Sequence, residues 1–529
     1  MTNLREFLAS NTSHREVLRY GELVVSGDDL QTSSARVAAG LKELGIGHGD
    51  RVAIWLPNIP AWLEVFFACA QLGAIAVSVN TRFRAHEVAD IVTRSAARAL
   101  VLWPDFHGID FAAILADVDD GALAGLEHIV VYGEQVGDVP STIRGIPVCS
   151  YRSWQNLAAF PHDHGKGTDR CVIFTTSGTT RAPKFVCHIQ NTVVQHARDV
   201  ATSFGLDATD ARVLQALPLC GVFGFTQALA ALAGGAPMTV MPVFDGPAAA
   251  RLIREQQITH THGVDDMIAS MLAAVQETPA FPTLRHFGYA AFNPALDNII
   301  EVAQARGLHL RGLYGMSECH ALYAVQPADL DIEERRKGGG RTVSPHARVR
   351  VRDPDSGELL PPGARGEIEI SGPSLLKEYF ADREATAAAL TDDGFLRTGD
   401  LGYLEADGRF CYLARMGDVL RLGGFLTSPL EIESVIDAHA EISASQVIAV
   451  ESGGRSRAFA FAIASSGVTF DEDAVIEHCK NRLAGYKVPA RIFPLEAFPT
   501  TLSANGTKIQ KARLRDMALE RLARSEDDT

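Results

Sequence analysis

Apolar runs set between helical windows dominate the first three hundred residues. Arg51-Val52-Ala53-Ile54-Trp55-Leu56 predicts a buried strand that stops at Pro57, residues 61–72 a helix, and residues 74–79 a second strand. Residues 98–102 and 128–132 repeat the apolar run. Strands of this kind alternating with helical windows predict βαβ units and parallel sheet. No repeat of fixed period runs through the chain, which argues against a solenoid or a propeller.

After about Gly338 the texture changes. Residues 348–352 alternate Arg with Val, and Glu367-Ile368-Glu369-Ile370 alternates charge with Ile. A two-residue period marks half-exposed antiparallel strands. Pro354, Gly357, Pro361, Pro362, Gly363 and Gly366 punctuate them. A linker is expected near Arg415-Met416-Gly417-Asp418. Beyond it, residues 429–438 and 471–483 read as helices and 445–450 and 458–464 as strands, a compact α+β unit. The expected fold class is α/β. A large N-terminal domain, 1–416, would hold parallel-rich sheets with helices plus an antiparallel β subdomain, and 417–529 a small α+β C-terminal domain.

Composition narrows the class. At about 150 residues per domain, 529 residues predict roughly three to four domains or subdomains. Hydrophobic residues at 47% and charged residues at 21% fit an ordinary globular chain, not a disordered or fibrous one. Lys and Arg number 49 against 64 Asp and Glu, a net charge of −15. Nucleic acid and anionic membrane are therefore poor partners, while a local basic pocket for a phosphate ligand stays compatible. Eight cysteines are scattered without a CxxC pair, which fits free thiols in a reducing cytoplasm better than a disulfide framework or zinc site. The N-terminus lacks the basic-then-apolar pattern of a signal peptide. The most apolar window, 65–79, is short of the about 20 apolar residues of a membrane span.

The strongest local chemistry is Thr175-Thr176-Ser177-Gly178-Thr179-Thr180-Arg181-Ala182-Pro183-Lys184, directly after the apolar run Cys171 to Phe174. Hydroxyls and backbone N–H groups on a Gly-containing turn can wrap phosphate oxygens, and Lys184 adds a point charge. The spacing is not that of a Walker P-loop. Composition alone would equally allow a polar surface turn.

Three later segments change that balance: Tyr314-Gly315-Met316-Ser317-Glu318, Thr398-Gly399-Asp400 and Gly506-Thr507-Lys508-Ile509-Gln510-Lys511. With the Thr/Ser loop, and with residues 415–433 and Gly485-Tyr486-Lys487-Val488-Pro489, they resemble the adenylate-forming superfamily in order and spacing. That superfamily includes acyl- and aryl-CoA synthetases, peptide-synthetase adenylation domains and beetle luciferases. The resemblance implies a two-step reaction that takes ATP, Mg²⁺ and CoA. A carboxylate attacks the α-phosphorus and pyrophosphate leaves; a thiol then attacks the acyl-adenylate and AMP leaves. It implies that Thr175, Thr176, Ser177, Gly178, Thr179, Thr180 and Lys184 hold the departing phosphates. Glu318 would bind Mg²⁺ and Ser317 the α-phosphate. Tyr289, Ala290, Tyr314 and Gly315 would surround the nucleotide. Asp400 would accept the ribose hydroxyls beside Arg415, and Lys508 would bridge carboxylate and α-phosphate. A mobile C-terminal domain, hinged at Gly417, would present Lys508 for adenylation and then Gly423 and Gly424, beside the thiol tunnel, for thiolation.

The chain departs from the pattern at several places. Arg181 and Phe185 stand where the superfamily has Gly, Cys220 and Gly221 where it often has an aromatic–His pair, and Gly417 where Asp or Lys is common. Tyr289 replaces a Gly; it could stack on adenine, wall off the acyl pocket or simply pack. The implied pocket is small and apolar: Cys220, Gly221, Val222, Phe223, Gly263, Val264, Ala290, Gly315 and Met316. That composition suits a fatty, alicyclic or aryl carboxylate. Residues 214–232 contain no acid to pair with an ammonium, which disfavours an α-amino acid. His260 and His262 lie near this set, either reading a polar group on the substrate or hydrogen-bonded in the core. CoA is the expected acceptor and a separate carrier protein the alternative; a homodimer is compatible with the sequence. Two rivals remain: a serine hydrolase built on Ser317 and His320, whose GxSxG elbow is broken by Cys319, and a degenerate nucleotide-binding homologue.

Overall fold

The computed structural model describes residues 2–527 apart from 13–14, 107–108, 134–139, 177–182, 294–295, 417–418, 423–424, 428, 453–454, 484 and 504–505. Two large sheets organise the first four hundred residues. In the nine-stranded sheet, Arg170–Thr175, Ile75–Ser78, Arg51–Trp55, Ala99–Leu102, His128–Val131 and Ile146–Ser150 lie parallel, as the apolar runs predict. The reason is visible in one strand. Val52 and Ile54 point into one apolar cluster while Ala53 and Trp55 point into another, so both faces are buried and polar alternation disappears.

Helices fill the space between the sheets. Pro60–Leu72, Gln190–Phe204 and Val222–Gly234 share a single cluster with Val52 and Ile54 of one sheet and Val213, Met238 and Val240 of the other. Pro60–Leu72 is apolar on almost every side because it packs between two sheets. Outer helices such as Ala85–Ser95 and Asp265–Ala273 cover the far faces. Among the described residues, no helix is long and apolar enough to cross a membrane.

The second sheet has thirteen strands. Val213–Gln215, Met238–Val240, His260–Val264, His286–Ala290 and Leu310–Tyr314 form its parallel part. From Leu310–Tyr314 onward it continues without a break into antiparallel strands: Ala324–Val325, Gly339–Thr342, Phe410–Arg415, Leu396–Leu404, Gly366–Ser371 and Arg348–Arg352. The antiparallel subdomain read from the Arg/Val and Glu/Ile alternation is thus an extension of the parallel sheet.

Beyond residue 420 the elements build their own cores. Ile442–Ser452, Arg455–Ala464 and Ile492–Pro494 form a three-stranded sheet. Helices Pro429–Asp437 and Glu472–Lys480 cover one face through Ile432, Ile436, Val475 and Cys479. Leu514 and Ala518 of helix Lys511–Asp527 cover the other against Ile448 and Phe461.

Candidate active site

The candidate nucleotide residues come from both sheets: Thr175 from the nine-stranded one, and Tyr314, Asp400 and Arg415 from the thirteen-stranded one. Strand Arg170–Thr175 turns back into Phe185–Ile189, and Phe185 pairs with Thr175. The Thr/Ser loop is the connection of this hairpin. Its base is closed twice: Thr176 N–H donates to the Lys184 carbonyl at 3.0 Å, and Lys184 N–H donates to Thr176 Oγ1 at 3.1 Å. Ser177, Gly178, Thr179, Thr180 and Arg181 lie outside the described residues. Phe185 does not reach toward the loop. It is 2% exposed, belongs to the outer core, and lies under the Arg94 guanidinium, 4.3 Å from its ring centroid. A side chain in place of the superfamily's glycine is therefore absorbed by the core.

Lys184 leads to the second motif. Its Nζ stands 4.5 Å above the Tyr379 ring. Tyr379 Oη donates to Glu318 Oε1 at 2.8 Å. Glu318 is 6% exposed, and among the described residues no hydrogen bond engages its Oε2. Among the described residues no three His, Cys, Asp or Glu side chains could together hold a metal. A single carboxylate with a free oxygen nevertheless fits Mg²⁺, which usually takes one or two carboxylates plus substrate phosphates.

Tyr314 joins this motif to the ribose candidate. Its hydroxyl donates to Asp400 Oδ2 at 2.6 Å and lies 3.9 Å from Met316 Sδ. Asp400 pairs across the sheet with Arg415, whose Nη1 is 3.0 Å from Oδ1. That approach is an ion pair without hydrogen-bond geometry, so buried Oδ1 has no donor among the described residues. Burial pushes the Asp400 carboxyl up to about 6, with Glu318 and Glu367 adding to the rise and Arg415 and Tyr314 opposing it.

The residues implied for the acyl pocket come from separate elements. Gly221 directly precedes helix Val222–Gly234, whose first residues Val222 and Phe223 are buried. The Cys220 carbonyl accepts from Ser78 Oγ at 2.6 Å, and burial pushes the Cys220 thiol up to about 11. A Cβ on Gly263 would stand 3.4 Å from the Phe287 ring, on the outer side of the sheet. Tyr289 shares that side. It is 4% exposed within the outer cluster, and its hydroxyl donates to the Arg336 carbonyl at 3.4 Å. Its geometry is that of the packing alternative, not of a ring stacked on adenine. Ala290, half-buried, ends the same strand and pairs with Val264.

His260 and His262 are core residues. His260 Nε2 donates to the Phe204 carbonyl at 2.8 Å, and His262 Nδ1 accepts from Gly288 N–H at 3.1 Å. Burial pulls His262 down to about 3. The hydrolase reading also loses its base. The His320 ring stacks on His188 and meets Thr192, and its hydrogen-bond partners do not include Ser317.

Gly417, Gly423 and Gly424 lie outside the described residues. Lys508 stands on strand Gly506–Ile509, opposite Thr501.

Comparison with known proteins settles the kinship. The AMP-binding enzyme family matches residues 6–380, and the AMP-binding enzyme C-terminal domain matches residues 431–505. The chain belongs to the AMP-binding enzyme family. It is 30% identical over 466 residues to a crotonobetaine/carnitine–CoA ligase of Salmonella paratyphi A, covering 86% of each chain. It is 29% identical over 510 residues to a feruloyl-CoA synthase of Amycolatopsis, covering 96% of each. The crystal structure of ATP-bound MatB from Rhodopseudomonas palustris superimposes with a TM-score of 0.81 at 26% identity, over 97% of this chain and 98% of that one. This AMP-binding enzyme falls in the acyl-CoA synthetase branch. It activates a carboxylic acid with ATP and passes the acyl group to CoA.

Two supports of this AMP-binding enzyme's site escape sequence reading. Tyr379 sits in an unremarkable Lys-Glu-Tyr-Phe stretch, and only the pairing of Glu378–Tyr379 with Phe185–Ile189 brings it to Glu318. Asp265, buried, accepts from Phe292 N–H at 2.7 Å and Asn293 N–H at 2.6 Å, fixing the turn after strand His286–Ala290. An Asp at a helix start reads as ordinary capping, which hid it.

Proposed function

We propose that the enzyme converts a fatty, alicyclic or aryl carboxylic acid to its CoA thioester, using the residues above in these roles. Thr175 to Lys184 hold the β- and γ-phosphates. Glu318 holds Mg²⁺, which supplies charge neutralisation to the phosphates when bound. Ser317 contacts the α-phosphate, and Asp400 accepts the ribose hydroxyls at Oδ1, where the Arg415 edge gives way. Residues 1–416 form the body and 417–529 the moving lid, turning at Gly417. The lid first brings Lys508 to the carboxylate and α-phosphate. It then brings Gly423 and Gly424 beside the thiol tunnel. In the first step the carboxylate oxygen bonds to the α-phosphorus and the bond to pyrophosphate breaks. In the second the CoA sulfur bonds to the acyl carbon, AMP leaves and the thiol proton goes to solvent.

One observation carries this reading. Two runs of contacts, Lys184–Tyr379–Glu318 and Tyr314–Asp400–Arg415, meet in the segment 314–318 and link four motifs scattered over more than two hundred residues. For the acid, support comes from the buried apolar side chains of Val222 and Phe223 at the start of their helix and from the relative that is a feruloyl-CoA synthase, feruloyl being an aryl acid.

Pyrophosphate release with ATP and Mg²⁺ across fatty, alicyclic, aryl and α-amino acids tests this. Release should require one of the first three classes and turn over repeatedly only with CoA. Release with amino acids alone would overturn the pocket assignment; no release with any acid would favour a degenerate homologue.

The Asp400 environment predicts a pH dependence. Only the ionised carboxylate accepts both ribose hydroxyls, so below about pH 6 binding must first expel a proton. The affinity for adenosine, which has no phosphate to titrate, should fall up to about tenfold per pH unit below that value. Asp400→Asn should flatten the profile; calorimetry across pH 5–8 reads both. For stability the sign is opposite. The native state keeps a proton that the unfolded chain has lost between about pH 4 and 6, so this group's contribution falls as pH rises through that window.

A further inference from the structure

Behind the nucleotide loop lie three buried histidines that the proposed reaction does not use. His188 stands on strand Phe185–Ile189, His196 on helix Gln190–Phe204, and His320 directly after Ser317–Cys319. The His188 and His320 ring centroids are 3.5 Å apart, and those of His196 and His320 are 5.7 Å apart. Their partners fix their tautomers. His188 Nε2 donates to the Ser317 carbonyl at 2.8 Å, and His196 Nε2 donates to the Ala321 carbonyl at 2.8 Å. The Thr192 hydroxyl already donates to Ile189, so it accepts from His320 Nε2 at 3.3 Å. Burial pulls His188 down to about 3 and His196 to about 4, so both are neutral donors.

Packing alone does not explain these residues. His188 and His196 each leave Nδ1 buried without a hydrogen-bond partner among the described residues. A buried acceptor with no donor is unfavourable, and an aliphatic side chain would fill the space without one. What the imidazoles hold is a backbone that would not hold itself. His320, Ala321 and Leu322 take φ of 65°, 53° and 41° in succession. Side chains other than glycine rarely enter this left-handed region even singly. The segment folds back so closely that a Cβ on Gly315 would stand 2.6 Å from Ala321 Cα. Thr226 Oγ1 adds a third anchor at the His320 carbonyl.

We propose that His188 and His196 are positioning residues for nucleotide binding: two imidazole donors hold the Ser317 and Ala321 carbonyls, and so aim the Ser317 and Glu318 side chains at the phosphates. The inference rests on the phosphate and Mg²⁺ roles proposed for Ser317 and Glu318.

His188→Gln and His188→Asn test it. The Gln amide places an N–H near the former Nε2, within reach of the Ser317 carbonyl. The Asn amide reaches only as far as Nδ1. Binding of ATP with Mg²⁺ by calorimetry should stay within about threefold of wild type for Gln and weaken about tenfold or more for Asn, the loss of one buried hydrogen bond. The KM for ATP should rise in step for Asn, while the KM for the acid stays unchanged. Equal ATP affinity in the two variants overturns the proposal, as does a rise in the acid KM that matches the rise for ATP. If neither variant folds, His196→Gln and His196→Asn repeat the contrast at the Ala321 carbonyl. Wild-type protein separates this from the ligase reading. Binding of ATP without acid-dependent pyrophosphate release would sink the reaction assigned above, and the Gln/Asn contrast would still decide the positioning role.

Discussion

Lys508→Ala should lower adenylate formation by about 10²–10³-fold, the usual effect of removing a charged group that stabilises a transition state. Transfer of a supplied acyl-adenylate to CoA should stay within about threefold of wild type, because the proposed lid movement takes that group away from the reacting atoms. Attack on the α-phosphorus brings an anionic carboxylate against an anionic phosphate, and charge accumulates on the oxygens between them. A lysine ammonium offsets that charge as it forms. In thiolation the bond forms at the acyl carbon and not at phosphorus, with AMP already a good leaving group. Lys508 sits in a hairpin, Thr500–Ser503 with Gly506–Ile509. Single-turnover assays of the two half-reactions read the difference. Equal loss in both would show that Lys508 supports the fold or the nucleotide in general.

Glu318→Gln should have a comparable effect for a different reason. The substitution keeps the size of the side chain and an oxygen that Tyr379 can reach, but removes the charge that a hard cation requires. Adenylation should fall about 100-fold or more, with raised Mg²⁺ in the assay recovering part of it. Tyr379→Phe removes only the hydrogen bond that orients the carboxylate. A charge-assisted bond of about 1.5–3 kcal/mol predicts a loss of about 10- to 100-fold at most. Melting temperature should move little for Glu318→Gln, since the amide keeps the side chain's size and an oxygen for the Tyr379 hydrogen bond. Full activity of Glu318→Gln across a Mg²⁺ titration would sink the metal assignment.

Much of this enzyme is written locally. Runs such as residues 51–56 specify strands buried on both sides, because each has apolar residues for two separate clusters. Alternation at 348–352 specifies a half-exposed strand; at 367–370 it misleads, because Glu369 is fully buried where Arg350 and Arg352 of the facing strand form ion pairs with it. The motifs Thr175 to Lys184, Tyr314 to Glu318 and Thr398 to Asp400 are legible because each follows or lies in a strand and carries its own chemistry in consecutive residues. Contacts between distant segments are not legible that way. That Tyr379 grips Glu318, that Tyr314 rather than a neighbour holds Asp400, and that Phe185 and Tyr289 turn into the outer cores depends on which strands pair and in what register. The same holds for His188 and His196, whose carbonyl partners lie more than a hundred residues away. Element types, motif order and class of chemistry follow from local periodicity and from residue types in contiguous runs. The orientation of each site residue follows from the fold, because it is set by burial against partners that local sequence does not name.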